Sequence, residues 1–299
     1  MIILYALILG IVQGLCEFLP VSSSGHLVLM QNLFGLSDGV LENSALLFNV
    51  LLHVGTLVSV VIVFRKDILD ILKHPLGMKM RCLVIATIPA VVVALLFNDF
   101  ITESFTGAYL GYCFIITTLM LCVSEYMSYK VKKKRKLGYL TALVMGVMQA
   151  IGIFPGVSRS GSTISGGLAC GANRKAVAKF SFLMSIPAIL GSLVMEGKDL
   201  LKTGVEGVSW GAVIVGMLAA GITGYFAIRY MLRVIQTKRL YIFALYTLIL
   251  GIAVITGVKA FQIGVLASGA LLLIVTAVMS AINGKKSDDE ERQMPAKTE

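Results

Sequence analysis

Charged side chains are scarce in this sequence, where they make up 14% of 299 residues. Soluble domains average about 25% charged residues. Because apolar residues make up 57% of the chain, too few polar groups remain to cover a water-exposed surface. Several stretches also reach the roughly 17–25 apolar residues that a spanning helix needs. The composition therefore excludes an ordinary soluble domain and predicts a membrane protein.

Cysteine pairing and cysteine metal motifs are also lacking. The five cysteines lie within apolar segments at spacings that fit no metal site: Cys16, Cys82, Cys113, Cys122 and Cys170. We interpret them as small core residues. The first apolar segment has neither a basic leading region nor an A-x-A cleavage site. We therefore expect it to be retained in the protein as a membrane segment.

The net charge of +10 does not indicate a nucleic-acid partner. The basic residues lie in short loops between apolar segments, which is the positive-inside pattern of membrane proteins. There is no basic helix or RNA-binding motif to support the other interpretation. We expect membrane lipids around the chain and no nucleic acid.

Seven uninterrupted apolar stretches predict spanning helices, at about 44–64, 82–98, 107–129, 176–196, 208–232, 239–257 and 260–282. Two further apolar stretches, about 2–34 and 138–172, are interrupted in the middle by proline, glycine and serine. Each piece of an interrupted stretch is too short or too polar to cross a bilayer comfortably alone. The pattern predicts an all-α polytopic membrane protein with two broken segments.

The loop charges predict how the chain is threaded. The loops at 65–81 and 130–136 are basic, whereas the loop at 98–106 holds Asp99 and Glu103 and no cation. We assign the basic side to the cytoplasm. The later basic loops also fall on the cytoplasmic side only if each broken segment returns to the side of the membrane from which it enters. The first broken segment would enter and leave on the outside, and the second on the inside. Opposed hairpins of this kind are typical of inverted-topology repeats.

The two broken segments also resemble each other in sequence. Gly10–Gly25 reads GIVQGLCEFLPVSSSG, and Gly146–Gly161 reads GVMQAIGIFPGVSRSG. We infer an internal repeat in which each copy has a re-entrant helix-loop-helix hairpin and about three transmembrane helices. The predicted boundaries are a single transmembrane domain over 1–283, comprising repeat one at about 1–129, repeat two at about 138–257 and an extra helix at about 260–282. A charged disordered tail is expected over 284–299.

The Ser/Gly loops suggest an anion site. Non-helical backbone inside a bilayer is tolerated where it is buried in protein or lines a wet cavity. Successive N–H groups and the positive end of a following helix attract phosphate. The alternative is a packing loop with small residues. Arg159 favours the anion site, because an arginine at bilayer depth costs about 2.5–3.5 kcal/mol and needs an anionic partner. That partner is a phosphate or Glu17, and the two are compatible if Glu17 pairs in the empty state.

Polar residues around the first loop are candidates for chemistry. Glu17 lies in an apolar helix with Gln13 one turn earlier on the same face, and it could be a metal ligand, a general base or an ion-pair partner. His26 follows the loop and could act as a base, an acid or a nucleophile, or simply be a hydrogen-bonded core residue. Asn49 and His53 share a face of the first span and either line the pocket or pack between helices.

These residues resemble the undecaprenyl-diphosphate phosphatase family of the bacitracin-resistance type. The first family motif matches Gln13, Glu17 and the run Pro20, Val21, Ser22, Ser23, Ser24, Gly25 and His26. The second matches Pro155, Gly156, Val157, Ser158, Arg159, Ser160, Gly161, Ser162 and Thr163. The similarity extends over roughly residues 1–257.

The resemblance implies hydrolysis of undecaprenyl diphosphate to undecaprenyl phosphate and inorganic phosphate in a bacterial inner membrane, in support of peptidoglycan synthesis. It implies a divalent cation, Mg²⁺ or Ca²⁺, a fold of two inverted repeats, a site that opens toward the outer face and a possible homodimer. Increased amounts of such a protein would confer bacitracin resistance. The extra helix at about 260–282 lies beyond the usual end of the family.

The resemblance also suggests roles for individual residues. Arg159 and loop N–H groups would hold the phosphates, and Glu17 with Gln13 would position the metal. Ser23 or His26 would attack phosphorus, or His26 would activate a water. The remaining substrate contacts would come from Ser22, Ser24, Gly25, Ser158, Ser160, Gly161 and Thr163. Many family members have glutamate where this chain has Gln13, so a metal would depend more on the phosphates.

Two other function classes stay open from the sequence. Inverted repeats with half-helices at the midplane are also a transporter architecture, which makes a polyprenyl-phosphate transporter or flippase the alternative function. A scaffold subunit that binds lipid without turnover is the third interpretation. Phosphate release from a soluble prenyl diphosphate distinguishes the enzyme from both.

Overall fold

The computed structural model describes residues 2–35, 45–131, 135–203, 209–237 and 239–270. Throughout these ranges the ordered elements are helices, and the β-type pairing they contain is an isolated bridge between Arg135 and Ala172. The predicted all-α class is therefore confirmed for the described residues.

The helices follow one another with short connections. Their bounds are α1 Ile2–Phe18, α2 Ser23–Phe34, α3 Ala45–Lys73, α4 Met78–Leu96, α5 Asn98–Ser104, α6 Leu110–Lys130, α7 Tyr139–Ile151, α8 Arg159–Ala169, α9 Arg174–Thr203, α10 Trp210–Thr237 and α11 Tyr241–Thr256. A further helical stretch, α12, runs over 259–270. The predicted helix at about 260–282 is thus described as far as residue 270, and the predicted tail at 284–299 lies outside the described residues.

Five of these helices are long and apolar enough to cross a bilayer, which confirms a multi-pass membrane protein: Phe48–Lys73, Met78–Leu96, Leu110–Lys130, Arg174–Met195 and Trp210–Gln236. The predicted span at 239–257 is shorter than expected. Its helix α11 has 16 residues, or about 24 Å against a hydrocarbon core of about 30 Å. Gly257 ends α11 because it adopts the left-handed conformation (φ 69°) that favours glycine.

The two predicted interruptions are real breaks between helices. The chain leaves α1 after Phe18 and re-enters a helix at Ser23, and it leaves α7 after Ile151 and re-enters at Arg159. Each second helix has a serine cap at the corresponding position of the repeat. Ser22 Oγ accepts a hydrogen bond from Gly25 N at 3.3 Å, and Ser158 Oγ accepts one from Gly161 N at 3.0 Å.

Small residues bring each first half-helix close to a spanning helix. Helix α1 packs against α10, where a Cβ on Gly10 would lie 2.3 Å from the Gly216 carbonyl oxygen. Helix α7 packs against α4, where a Cβ on Gly146 would lie 2.5 Å from the Ala86 carbonyl oxygen. Because neither position has room for a side chain, glycine is required for both contacts. The repeated glycine thus makes the same kind of contact in both segments.

A buried ion pair joins three helices on the side of the basic loops. Arg174, the first residue of α9, donates to both carboxylate oxygens of Glu125 on α6, at 2.9 and 2.5 Å. Glu125 Oε1 also accepts from the backbone N–H of Leu240 at the start of α11, at 2.8 Å. The side-chain amide oxygen of Asn173 accepts from Ala176 N and caps the start of α9.

Candidate active site

Glu17 is the centre of a cluster of polar side chains near the break after α1. Its side chain is only 3% exposed, and its Oε2 accepts two hydrogen bonds. Gln13 Nε2 donates at 3.0 Å, and the Ser23 hydroxyl donates at 2.6 Å. Ser23 is the first residue of α2, so the turn between the two half-helices brings its hydroxyl back onto the carboxylate.

Arg159 joins the cluster from the second hairpin. Its Nη2 donates to Glu17 Oε1, which makes an ion pair across 142 positions of sequence. The Arg159 side chain is 18% exposed, whereas that of Glu17 is almost fully buried. The Arg159 side chain is therefore partly accessible, while the carboxylate is enclosed. Glu17 is one of the two partners that the sequence analysis left open for Arg159.

His53 on α3 is a third ionisable side chain beside Glu17. Its Nε2 lies 3.6 Å from Glu17 Oε2, and its Nδ1 lies 2.7 Å from the Asn49 carbonyl oxygen. The carbonyl can only accept, so Nδ1–H donates and Nε2 faces the carboxylate. The sequence analysis left His53 between pocket lining and helix packing. The signal was its position one turn after Asn49 on an apolar span, but nothing in the sequence fixed the rotation of α3 against α1.

The two loops are tied directly to each other at Ser22. Besides capping α2, Ser22 Oγ accepts from Gly156 N at 3.0 Å. Ser22 has φ 69°, in the left-handed region that non-glycine residues seldom adopt and that costs about 1–3 kcal/mol. A Cβ on Gly25 would lie 2.8 Å from Gly156 Cα, so the loops are in backbone contact. The strained backbone at Ser22 and the direct contacts between the two loops hold the residues of the cluster in fixed positions.

Most of the other hydroxyls predicted to bind substrate are hydrogen-bonded within the protein. Ser160 Oγ donates to the Leu19 carbonyl at 2.9 Å, and Thr163 Oγ1 pairs with Ser181 Oγ at 2.6 Å. Ser158 Oγ lies 3.3 Å from Ser160 Oγ in addition to its capping role. Ser24 is half-buried, 3.5 Å from Ser22 Oγ. A Cβ on Gly161 would lie 3.2 Å from Pro20 Cβ, which makes Gly161 another point of contact between the loops.

His26 does not make a described contact with the Glu17 cluster. It is 2% exposed, and its Nδ1 lies 2.7 Å from the Ser22 carbonyl oxygen. Its Nε2 lies 2.7 Å from the hydroxyl of Tyr246 on α11. In the neutral ring Nδ1–H donates to the carbonyl and Nε2 accepts from the tyrosine. Both nitrogens are therefore engaged, and Tyr246, which the sequence analysis did not single out, is a partner of a motif residue.

Oxygen atoms suitable for a hard cation are present but few. Gln13 Oε1 is buried and has no hydrogen-bond partner among the described residues. Together with Glu17 it supplies one amide and one carboxylate oxygen, the ligand types that Mg²⁺ and Ca²⁺ prefer. Across the same residues no group of three or more His, Cys, Asp or Glu side chains is placed to hold a metal. The fit is to a cation that takes its other ligands from a bound phosphate.

The chemistry available here is that of phosphate binding next to an activated hydroxyl. Helices α2 and α8 both begin at the loops, so their positive ends lie near the cluster. Arg159 adds a planar donor that suits phosphate oxygens. Ser23 is hydrogen-bonded to a carboxylate that can take its proton. The site thus combines anion donors with a hydroxyl that is hydrogen-bonded to a carboxylate.

A family profile described as "Bacitracin resistance protein BacA" matches residues 6–253. The chain belongs to this family. The family predicted from the two motifs is therefore confirmed. The match includes both hairpins and the Glu17 cluster, and it ends within α11.

Named relatives support the BacA assignment. An undecaprenyl-diphosphatase of Carboxydothermus hydrogenoformans is 46% identical over 253 residues, which cover 84% of this chain and 95% of the relative. An undecaprenyl-diphosphatase of Halothermothrix orenii is 40% identical over 250 residues, with 83% and 95% coverage. Undecaprenyl-diphosphatase 4 of Bacillus thuringiensis subsp. konkukian is 40% identical over 254 residues, with 85% and 96% coverage.

Proposed function

We propose that this protein hydrolyses undecaprenyl diphosphate to undecaprenyl phosphate and inorganic phosphate. The names of its BacA relatives support the reaction. The observation that carries the proposal is the convergence on one buried carboxylate, Glu17, of a hydroxyl from the first hairpin and a guanidinium from the second. A binding protein needs the guanidinium but has no use for a hydroxyl hydrogen-bonded to a base.

In this mechanism the diphosphate displaces the carboxylate from Arg159. The guanidinium and the N–H groups at the starts of α2 and α8 hold the terminal phosphate and stabilise the charge of the transferring group. Ser23 Oγ forms a bond to the terminal phosphorus, its proton passes to Glu17, and the bond to the bridging oxygen breaks. Undecaprenyl phosphate leaves with the bridging oxygen. Water then forms a bond to phosphorus, the bond from phosphorus to Ser23 Oγ breaks, and Ser23 Oγ takes its proton back from Glu17 as inorganic phosphate is released.

Ser23 is the preferred nucleophile because of its position. Its hydroxyl is 2.6 Å from the base, whereas both nitrogens of His26 are engaged with Ser22 and Tyr246. The covalent route implies a phosphoserine intermediate, and direct attack by water is the competing route. We assign His26 a supporting place beside the reacting loop, where it holds the Ser22 carbonyl.

A divalent cation, Mg²⁺ or Ca²⁺, belongs to the proposal. Gln13 Oε1 and Glu17 would hold it together with phosphate oxygens. When bound, such a cation neutralises phosphate charge. Because the chain supplies few ligands, we expect the affinity for the cation to be weak without a phosphate.

The inverted repeats are part of the proposal as well. Helices α1, α2, α3, α4 and α6 of repeat one would correspond to α7, α8, α9, α10 and α11 of repeat two. The contact of α1 with α10 then corresponds to that of α7 with α4, and both use the repeated glycine. With the basic loops in the cytoplasm of a bacterial cell, the first hairpin is re-entrant from outside and the site opens outward. The homodimer stays a prediction.

The test is phosphate release by purified full-length protein in detergent, with farnesyl diphosphate as a soluble substrate. We expect Arg159→Ala to lower kcat/KM by about 10²–10³-fold, as loss of one preorganised donor does. Arg159→Lys should recover part of the loss, because it restores the charge without the bidentate geometry. Arg229→Ala is the matched control, since Arg229 is exposed on α10 and bonds Tyr225.

Two results would overturn the proposal. If the Arg159→Ala protein is folded and releases phosphate at a near-normal rate, the proposed mechanism is wrong. Absence of release by the unmodified protein, together with movement of prenyl phosphate between the leaflets of vesicles, would establish the transporter instead.

A further inference from the structure

The last described helix, α12, lies beyond the BacA match and packs against Tyr246 on α11. The match ends at residue 253, whereas α12 covers 259–270. Gln262 Nε2 donates to the Ala253 carbonyl at 3.2 Å and fastens α12 to the end of α11. Val265 is buried in a cluster with Phe114, Leu250 and residues of α2. The segment is therefore part of the packed structure around the first hairpin.

Tyr246 connects this cluster to the site. Its hydroxyl lies 2.7 Å from His26 Nε2, and its ring is stacked on the imidazole with centroids 5.7 Å apart and planes 19° apart. Phe114 contacts the same imidazole edge-on at 5.6 Å. With Nδ1 on the Ser22 carbonyl, the imidazole is fixed at both nitrogens and supported on two sides. Tyr246 thereby sets the orientation of a side chain that also holds the strained turn at Ser22.

Tyr246 is in turn supported by α12 through one glycine. A Cβ on Gly269 would lie 2.2 Å from Tyr246 Cε2 and 2.9 Å from its hydroxyl oxygen. The backbone of α12 is thus pressed against the ring, at a place where no side chain fits. Gly264, on the same helix, would meet nothing within 4 Å. The requirement for glycine is therefore specific to the contact with Tyr246.

We propose that Tyr246 is a positioning residue for His26 and that α12, through Gly269, holds the tyrosine in place. The segment beyond the family match would then contribute to the site by holding Tyr246, which orients His26. The proposal rests on the proposed function only in so far as it concerns phosphate release. The positions of the three groups can be tested apart from catalysis.

Tyr246→Phe tests the first contact, because it keeps the ring and removes the hydroxyl. We expect kcat for farnesyl diphosphate to fall roughly tenfold, as loss of about one hydrogen bond predicts, with KM changed less than about twofold. Tyr241→Phe is the control, since Tyr241 is exposed on the same helix.

Histidine nitrogen spectra give the second readout. The chain has three histidines, so ¹⁵N-histidine labelling yields three pairs of ring signals, assigned with His53→Gln and His74→Gln. We expect Tyr246→Phe to shift the Nε2 signal of His26 and to leave the signals of His53 and His74 unchanged. A general loss of packing would also move the signals of His53. An unchanged kcat together with an unchanged His26 signal would overturn the role of Tyr246.

Gly269→Ala tests the contact with α12, and Gly264→Ala is the matched control on the same helix. We expect Gly269→Ala to lower kcat and to shift the His26 signal in the same direction as Tyr246→Phe, while Gly264→Ala changes neither. Combined with Tyr246→Phe, Gly269→Ala should add little further loss, since both act through one contact.

The outcomes separate the two proposals. Equal behaviour of Gly269→Ala and Gly264→Ala, in folded protein, would overturn the role of α12. If Gly269→Ala folds poorly, additive losses in the double variant would also overturn the role of α12, because they would show that Gly269 does not act through Tyr246. If the unmodified protein releases no phosphate, the proposed function fails, and the His26 spectra still decide whether Tyr246 and Gly269 position the imidazole.

Discussion

At the scale of single residues, the Glu17 carboxylate has three neighbours with different chemistry. It accepts from an amide, accepts from a hydroxyl and pairs with a guanidinium. Removal of one member of such a buried pair leaves an uncompensated charge, which costs more than the pair itself contributes. Substitutions at Glu17 would therefore change both the stability of the fold and the catalytic step. A substitution at Ser23 tests the mechanism with less effect on stability.

We expect Ser23→Ala to abolish the covalent route while keeping the Glu17–Arg159 pair. Phosphate release should fall by about 10²–10⁴-fold, the range for loss of a positioned catalytic group. In the unmodified protein, rapid acid quench with ³²P-labelled substrate should trap a phosphoprotein that Ser23→Ala lacks. Ser192→Ala is the control, because Ser192 is exposed on α9 and bonds only within its own helix.

Full phosphate release by Ser23→Ala would contradict the covalent mechanism. A large loss without a trapped adduct in the unmodified protein would favour direct attack by water, with Ser23 orienting it.

The residues that the sequence predicted differ from those it missed in one physical respect. Gln13, Glu17 and Ser23 lie within a few residues of each other, so a break in one helix brings them together. Tyr246 contacts His26 across 220 positions, and that distance is bridged only by the packing of α11 beside α2. No local pattern encodes such a contact. From the sequence alone, a tyrosine in an apolar helix is interpreted as a packing residue, because its hydrogen-bond partner is not known.

At the scale of elements, the paired half-helices were predictable and their neighbours were not. Proline, glycine and serine mark both breaks, and the serine caps confirm where α2 and α8 begin. The short helix α5 was not predicted, because five of its seven residues are polar and it is too short to show an apolar period. Helix α11 is slightly shorter than the predicted span, because it begins at Tyr241 and ends before Gly257, which adopts a left-handed conformation.

We expect Gly146→Ala to weaken the contact between α7 and α4. The new methyl group would lie 2.5 Å from a backbone oxygen, which cannot move as a flexible side chain can, so the helices must separate. Overpacking of this kind costs about 1–3 kcal/mol. The thermal midpoint in detergent should fall, and phosphate release should fall with it because α7 leads into the loop that holds Arg159.

The control for this change is Gly211→Ala, where the added Cβ meets nothing within 4 Å. Gly10→Ala should behave like Gly146→Ala if the two contacts are equivalent. A midpoint that is unaffected at Gly146 but lowered at Gly10 would argue against equivalent repeats.

At the scale of the whole molecule, the membrane orientation rests on loop charge. His74 lies between α3 and α4 in the basic stretch 65–81, and Glu103 lies on α5 in the acidic stretch 98–106. Both are exposed. The helix α4 between them is long enough to span the bilayer. We therefore expect the two positions to lie on opposite sides of the membrane.

We expect Glu103→Cys, but not His74→Cys, to react with a membrane-impermeant maleimide in intact bacteria. Both should react after the membrane is permeabilised. The five native cysteines are buried or half-buried, so the unmodified protein serves as the background control. The opposite labelling pattern would reverse the orientation and place the opening of the first hairpin in the cytoplasm.

The Glu17–Arg159 pair has a consequence for the order in which ligands arrive. Each charge cancels the other, so the empty centre is close to electroneutral and offers a bare divalent cation little net attraction. In the proposed mechanism a diphosphate would bring several negative charges and would free the carboxylate by taking the guanidinium. It would thereby create the negative surroundings that a cation needs, and we expect the two ligands to enter together or with the lipid first.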